Sequence, residues 1–269
     1  MVFKLLKNAI KRFLIAVNQK VFYTDFQKEM LKAKKTVSEG VISLFGKQFY
    51  YHHGIAFYVT YQEIFVKGIY NFKTDSKKPV ILDCGANMGL SVLFFSRNFP
   101  NAEIFAFEPD KKVLSYLEKN IASQNLKNVH LIQKGVWSSE TILKFYTDSG
   151  MGGRLAMKYN NQIPEFVPTI RLRDYLERPI TFLKMDIEGA EYEVLNDIED
   201  RLTNIENVFL EYHSIFDEEQ HLDEILAIFK RNGFRYHLSQ SFSRNRPFID
   251  KNIGCEKYDM AINIYAYKS

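Results

Sequence analysis

The sequence predicts an α/β fold: a mostly parallel sheet with helices on both faces and an antiparallel strand at its C-terminal end. Three observations predict it. In residues 80–89, Val-Ile-Leu-Asp-Cys-Gly-Ala-Asn-Met-Gly, an apolar run gives way to an acid and then to a glycine turn. Between residues 80 and 233, short strand-like runs alternate with amphipathic helical stretches, which is the signature of βαβ units. Two further strand-like runs, 234–238 and 261–267, are joined by a long polar loop and close the chain as a hairpin.

The elements follow in order. Residues 2–17 place Phe3, Leu6, Ile10, Phe13, Leu14 and Val17 at helical spacing, with Lys4, Lys11 and Arg12 mostly on the other side. This basic amphipathic helix is too short and too charged to span a bilayer, and no small-residue cleavage site follows an apolar core. It has two readings: packing on its own domain or on a second subunit in a homodimer, or peripheral docking on a membrane surface. Residues 41–72 hold a dense set of aromatics, among them Phe45, Phe49, Tyr51, Phe57, Tyr61, Phe65 and Tyr70, expected to cover one edge of the main domain. The polar, proline-ended stretch 74–79 is the best linker. It divides an N-terminal region, 1–78, from a ligand-binding domain, 79–269.

Within that domain, residues 80–82 form a strand and 91–98 a helix. Residues 103–107 are a second strand, and 111–123, with Val113, Leu114, Leu117 and Ile121 on one face, a second helix. A third strand is 129–133. The fourth strand comes only at 181–185, followed by a helix around 192–198. The fifth is 208–213, followed by a helix carrying Leu222, Ile225, Leu226 and Phe229.

Composition narrows the function classes. A chain of 269 residues with 46% hydrophobic residues can bury one large core with a small appendage. Its net charge of +4 is uneven, because residues 1–40 carry nine Lys or Arg against three Asp or Glu. The remainder is slightly acidic, which argues against a general nucleic-acid surface on the main domain. Cys84 and Cys255 have no zinc-like spacing, so reduced thiols and a cytoplasmic protein are expected, membrane-associated if the basic helix docks on lipid.

The turn after the first strand carries the first chemistry. Gly85 and Gly89 allow a sharp bend and a close ligand approach, while Asp83 stands where strand becomes loop. The spacing is not Gly-x-Gly-x-x-Gly, and an acid two residues before the first glycine suits a ligand with sulfonium and ammonium groups better than a pyrophosphate. Asp-x-Gly-x-x-x-Gly therefore leans toward S-adenosylmethionine (SAM), with an ordinary tight turn as the bland alternative. Glu108 closes the second strand about twenty residues on, where doubly wound folds place an acid on ribose hydroxyls.

The fourth strand ends Lys184-Met-Asp186-Ile-Glu188-Gly-Ala-Glu191, three carboxylates at the edge that serves as the ligand crevice. Asp186 and Glu188 are expected to face cofactor or substrate, whereas Glu191 also suits a helix N-terminus. In Glu211-Tyr-His213, period-two alternation puts Glu211 and His213 on one face. Three readings of the histidine stand: a general base, one ligand of a divalent metal held with Asp186 and Glu211, or a structural histidine capped by Glu211. Gly150-Met-Gly-Gly-Arg154 reads as a flap over the acceptor, with Arg154 reaching an acidic group, or as a plain loop.

Taken together, Asp83-Cys-Gly-Ala-Asn-Met-Gly89, Phe107-Glu108-Pro109, the 184–191 segment and Glu211-Tyr-His213, in that order, resemble the FkbM family of SAM-dependent methyltransferases over residues 79–233. The resemblance implies a seven-stranded Rossmann-like sheet of the class I methyltransferase type. It also implies SAM as methyl donor and O-methylation of a sugar, glycan or natural-product hydroxyl. By position, Asp83, Gly85 and Asn87, with Gly89 closing the turn, would line the methionine and ribose portion, Glu108 would hold the ribose, and Gly135 and Val136 would border the adenine. No Asp or Asn directly follows the third strand, so Gln133 or backbone groups must meet the adenine amine.

Two other classes fit the sequence less well. An NAD(P)-dependent oxidoreductase would want the dinucleotide glycine spacing, which is missing. A non-catalytic SAM-binding protein would not need Asp186, Glu211 and His213.

Overall fold

The computed structural model describes residues 25–147, 153–155, 164–216, 218–249 and 258–268. The helix expected over residues 2–17 lies outside these. Among the described residues, no helix is long and apolar enough to cross a membrane.

The chain enters through helix α1 (Asp25–Ala33) and the antiparallel hairpin β1 (Gly40–Leu44) and β2 (Lys47–Tyr51). Helix α2 (Gly54–Tyr61) begins at His53, whose ring accepts from Ala56 N, so a capping side chain stops the strand and starts the helix. A π-helical turn, Gln62–Lys67, continues it and ends at Gly68, where φ is 69°.

The central sheet then builds in parallel. Strand β3 (Val80–Cys84), α3 (Leu90–Asn98), β4 (Glu103–Phe107), α4 (Lys111–Gln124) and β5 (Val129–Ile132) make the first half. Asp110 starts α4 by accepting from the amides of Lys112 and Val113, and Asn125 closes it in the left-handed region. Strands β6 (Gly135–Trp137), β7 (Ile142–Thr147), β8 (Gly153–Leu155) and β9 (Glu165–Arg171) follow, forming a separate four-stranded sheet in the order β6-β9-β7-β8.

The chain returns to the main sheet with β10 (Ile180–Met185) and α5 (Glu191–Asp197), then β11 (Ile205–Ile215) and α6 (Leu222–Arg231). It ends with β12 (Arg235–Ser243) and β13 (Tyr258–Tyr267). The strand order is β12-β13-β11-β10-β3-β4-β5, with β13 antiparallel to both its neighbours and the other pairings parallel. The seven strands are the seven read from the sequence.

Alternation along the strands divides the core. Leu82, Leu183, Met185, Val208 and Leu210 face one side and pack with Val194, Leu195, Ile225 and Phe229 of α5 and α6. Ile81, Phe182 and Phe209 face the other side and pack with Phe95 of α3 and with Phe49, Phe57 and Tyr70 of the aromatic segment. The aromatic segment therefore lies over a face of the sheet rather than along its edge. Rings do the joining: Phe72 stacks between Phe99 and Phe182 at 4.3 and 4.6 Å, and Tyr70 meets Phe209 edge-on at 4.8 Å.

Candidate active site

The carboxyl ends of β3, β4, β10 and β11 form one edge, and the predicted site residues of those strands collect there. Parallel pairing sets Lys184 directly opposite Asp83. Their side chains are buried and 3.4 Å apart, and Lys184 Nζ also lies 3.4 Å from Asp186 and donates to the carbonyls of Cys84 and Gly85. Burial alone would lower the lysine pKa, but Asp186 and Asp83 outweigh it and hold the ammonium charged. Ser91, at the start of α3, donates to the other Asp83 oxygen at 2.5 Å. Asp83 is thus fully enclosed beneath the glycine turn and braces it from below.

The turn itself is set by backbone geometry. Gly85 (φ 88°) and Gly89 (φ 93°) occupy the left-handed region, as does Asn87 (φ 48°). A Cβ on Gly85 would come within 2.0 Å of the Asp186 carbonyl oxygen, so only glycine lets β3 and β10 close on each other here. Glu108, at the tip of β4, accepts from Asn87 N and Asp110 N, each at 2.9 Å. Each carboxylate oxygen keeps a second lone pair for a ligand hydroxyl. Burial lifts its pKa to about 7, against the opposing pull of those amides. A cradle of left-handed residues with an acid at its rim fits a nucleoside cofactor. Gly135 and Val136 open β6 and are buried, with the Val136 side chain inside the main core, while Gln133 is exposed.

The second cluster surrounds His213. Its Nδ1 lies 3.0 Å from Glu191 Oε1, and the same carboxylate accepts from the amides of Ile187 and Gly189. The carboxylate that fixes the ring is therefore Glu191, not Glu211. Its place at the first turn of α5 shows why: the helix start aims it back at β11. His213 Nε2 is left facing Glu188 at 3.6 Å and Glu211 at 3.9 Å. Glu188 takes the left-handed conformation (φ 58°) and accepts from Tyr258 OH of β13. Burial would lower the His213 pKa, but Glu188, Glu191 and Glu211 together raise it well above the ordinary value. Burial and the neighbouring Asp186 push Glu211 up to about 7.

Asp186, Glu211 and His213 each offer one ligand atom, and these atoms lie within 4.8 Å of one another. Two carboxylates and an imidazole, with the outer ring nitrogen tied to a further carboxylate, are a donor set that suits a divalent cation.

Residues 153–155 form β8, paired with β7, so that Arg154 stands opposite Tyr146 in a sheet. Residues 150–152 lie outside the described part.

Two participants escaped the sequence reading. Tyr70, buried above the sheet, has its pKa raised first by burial and then by Asp186 and Glu211, which places the phenol in the field of the acid cluster. His52, just after β2, puts Nε2 3.0 Å from Asn87 Oδ1 in the glycine turn. A position in a run of aromatics signals burial but not its partner.

Residues 83–236 match a family model described as the methyltransferase FkbM domain. The chain is 30% identical over 189 residues to methyltransferase sdnD of Sordaria araneosa, covering 56% of this chain and 73% of that protein. It is 26% identical over 155 residues to the 2-O-methyltransferase NoeI of Sinorhizobium fredii, covering 50% of this chain and 63% of that protein. A solved FkbM methyltransferase from Methylobacillus flagellatus is similar at 17% identity with a TM-score of 0.46, covering 75% of this chain and 46% of that one.

Proposed function

This chain belongs to the FkbM methyltransferase family, and from that premise we propose that it is a SAM-dependent O-methyltransferase acting on a hydroxyl of a sugar, glycan or related natural product. The observation that carries the reading is the oriented histidine: Glu191 holds Nδ1, and Nε2 faces Glu188 and Glu211 beside Asp186. When bound, SAM supplies an already activated methyl group on a sulfonium. What remains for the protein is alignment and removal of one proton. Gly85, Asn87 and Gly89 shape the cofactor cradle, and Glu108 accepts from the ribose hydroxyls. Asp83 supports the turn from beneath. Gly135 and Val136 lend backbone to the adenine side.

On the acceptor side, the His213 imidazolium passes its Nε2 proton to a neighbouring carboxylate, Glu188 or Glu211, and the freed nitrogen then takes the hydroxyl proton, with Glu191 stabilising the imidazolium that results. Asp186, Glu188 and Glu211 accept from neighbouring hydroxyls of a polyhydroxyl acceptor, and Arg154 serves an acceptor that carries an acidic group. That NoeI is a 2-O-methyltransferase supports a hydroxyl as the acceptor atom.

The donor set of Asp186, Glu211 and His213 favours a second version of the same reaction. A divalent cation there would acidify the acceptor hydroxyl, with His213 as ligand instead of base. Loss of turnover with a chelator, restored by magnesium or manganese, selects this version; full activity in chelator selects the base.

Calorimetry with SAM, S-adenosylhomocysteine and NAD tests the cofactor. Binding of NAD and neither SAM compound would sink the methyltransferase reading. Methyl transfer from radiolabelled SAM, screened across nucleotide sugars, glycans and lipid-linked sugars, tests the acceptor. The basic residues near the N-terminus are the reason to include the lipid-linked set.

A further inference from the structure

The glycine turn is gripped from the N-terminal segment as well as from the sheet. Asn120 on α4 is buried. Its Oδ1 accepts from Tyr50 N at 2.6 Å, and its Nδ2 donates to Tyr50 O and to Met88 O, each at 2.8 Å. One carboxamide therefore ties the end of β2 to the residue after Asn87. Two residues along β2's exit, His52 reaches Asn87 itself. The backbone at 52 is fixed on both sides, by the hairpin before it and by the His53 cap of α2 after it.

The atoms at this contact identify themselves. Met88 N can only donate, so the Asn87 atom 2.7 Å from it is the carbonyl oxygen. His52 Nε2 must then carry its hydrogen and donate to the same oxygen. Burial lowers the His52 pKa, which keeps the ring neutral and compatible with a single N–H at that position. The ring also meets Tyr116 edge-on at 5.6 Å, and Tyr116 is one helical turn before Asn120. With Oδ1 engaged by two donors, Nδ2 is the half of the Asn87 amide left for a ligand.

We propose that His52 is a positioning residue for the cofactor: by holding Asn87 Oδ1 it presents the Asn87 amide as a donor to an acceptor oxygen of SAM, making the N-terminal segment part of the cofactor site. This rests on the SAM reading above. It assigns the donated hydrogen, not the bulk of the ring, as the feature that matters.

The test uses the full chain and SAM affinity by calorimetry, with thermal melting to check each variant's fold. His52→Phe keeps the ring against Tyr116 and removes the donor; His52→Gln loses the ring and keeps an N–H. SAM binding is expected to weaken about tenfold in His52→Phe and to stay within about threefold of wild type in His52→Gln. In the Asn87→Ala background, His52→Phe should cost no further affinity, because the two act as one unit. Unchanged affinity in His52→Phe, the reverse order of the two variants, or full additivity with Asn87→Ala overturns the proposal while leaving the cofactor reading intact. Failure of the wild-type protein to bind SAM overturns both.

Discussion

The two halves of the candidate site sit on one sheet edge and are built on opposite principles. At the glycine turn, shape comes from backbone dihedrals, and the buried charges are matched: Lys184 lies between Asp83 and Asp186 and also donates to two carbonyls of the turn. Around His213 the charges are crowded instead, with Glu188, Glu191 and Glu211 about one imidazole and Asp186 alongside. A preformed cradle binds by fit. A crowded acid cluster is poised to hold or move a proton, or to take a cation. Binding and reaction should therefore separate under mutation.

The sharpest separation is expected at His213. His213→Ala should reduce turnover by about 10²- to 10⁴-fold while SAM affinity by calorimetry stays near wild type. Retention of methyl transfer would remove the histidine from the reaction. Gly85→Ala should do the reverse: the new Cβ meets the Asp186 carbonyl in a strained conformation, costing about 2–3 kcal/mol of stability in urea unfolding and most SAM binding. Normal affinity in that variant would mean that the strands part easily and the cradle is not rigid. Glu191→Gln should lower turnover by about 10- to 100-fold, because the ring loses its charged anchor, with little change in SAM affinity. Equal loss of both would show that Glu191 supports the whole edge instead.

The smallest effect concerns pH and Glu108. Its folded pKa of about 7 lies above the ordinary 4.5, so the folded state holds this proton more tightly than the unfolded state. Its contribution to stability is greatest below pH 4.5 and declines as pH rises to 7. Ribose hydroxyls donating to the ionised form give the opposite trend for the ligand, so SAM affinity should rise several-fold between pH 6 and 8. Both trends are read as differences between wild type and Glu108→Gln, which should flatten them. A wild-type affinity independent of pH would remove Glu108 from the ribose.

What was legible in the sequence was whatever local periodicity encodes. The seven main strands are runs whose apolar residues announce burial, and β10, buried along its whole length, reads plainly despite Lys184. The turn was legible because glycine spacing is a backbone requirement. The four-stranded sheet of β6 to β9 was not, since two of its strands are three residues long and Ile142 and Phe166 are exposed. Nor was the partner of His213: Glu191 reads as a helix-start acid, and only the path of α5 over β11 turns it toward the ring. His52 needed still more, a hairpin register and the docking of that hairpin on α4.

The interlocked rings over the sheet also set where this molecule can be cut. The match to the family model begins at residue 83, but cohesion begins well upstream of it. A fragment starting at residue 79 would bring Phe95, Phe99, Phe182 and Phe209 into water. It should be recovered as aggregate, where the full chain remains dispersed. Descent and packing draw different borders on this polypeptide, and expression should follow the second.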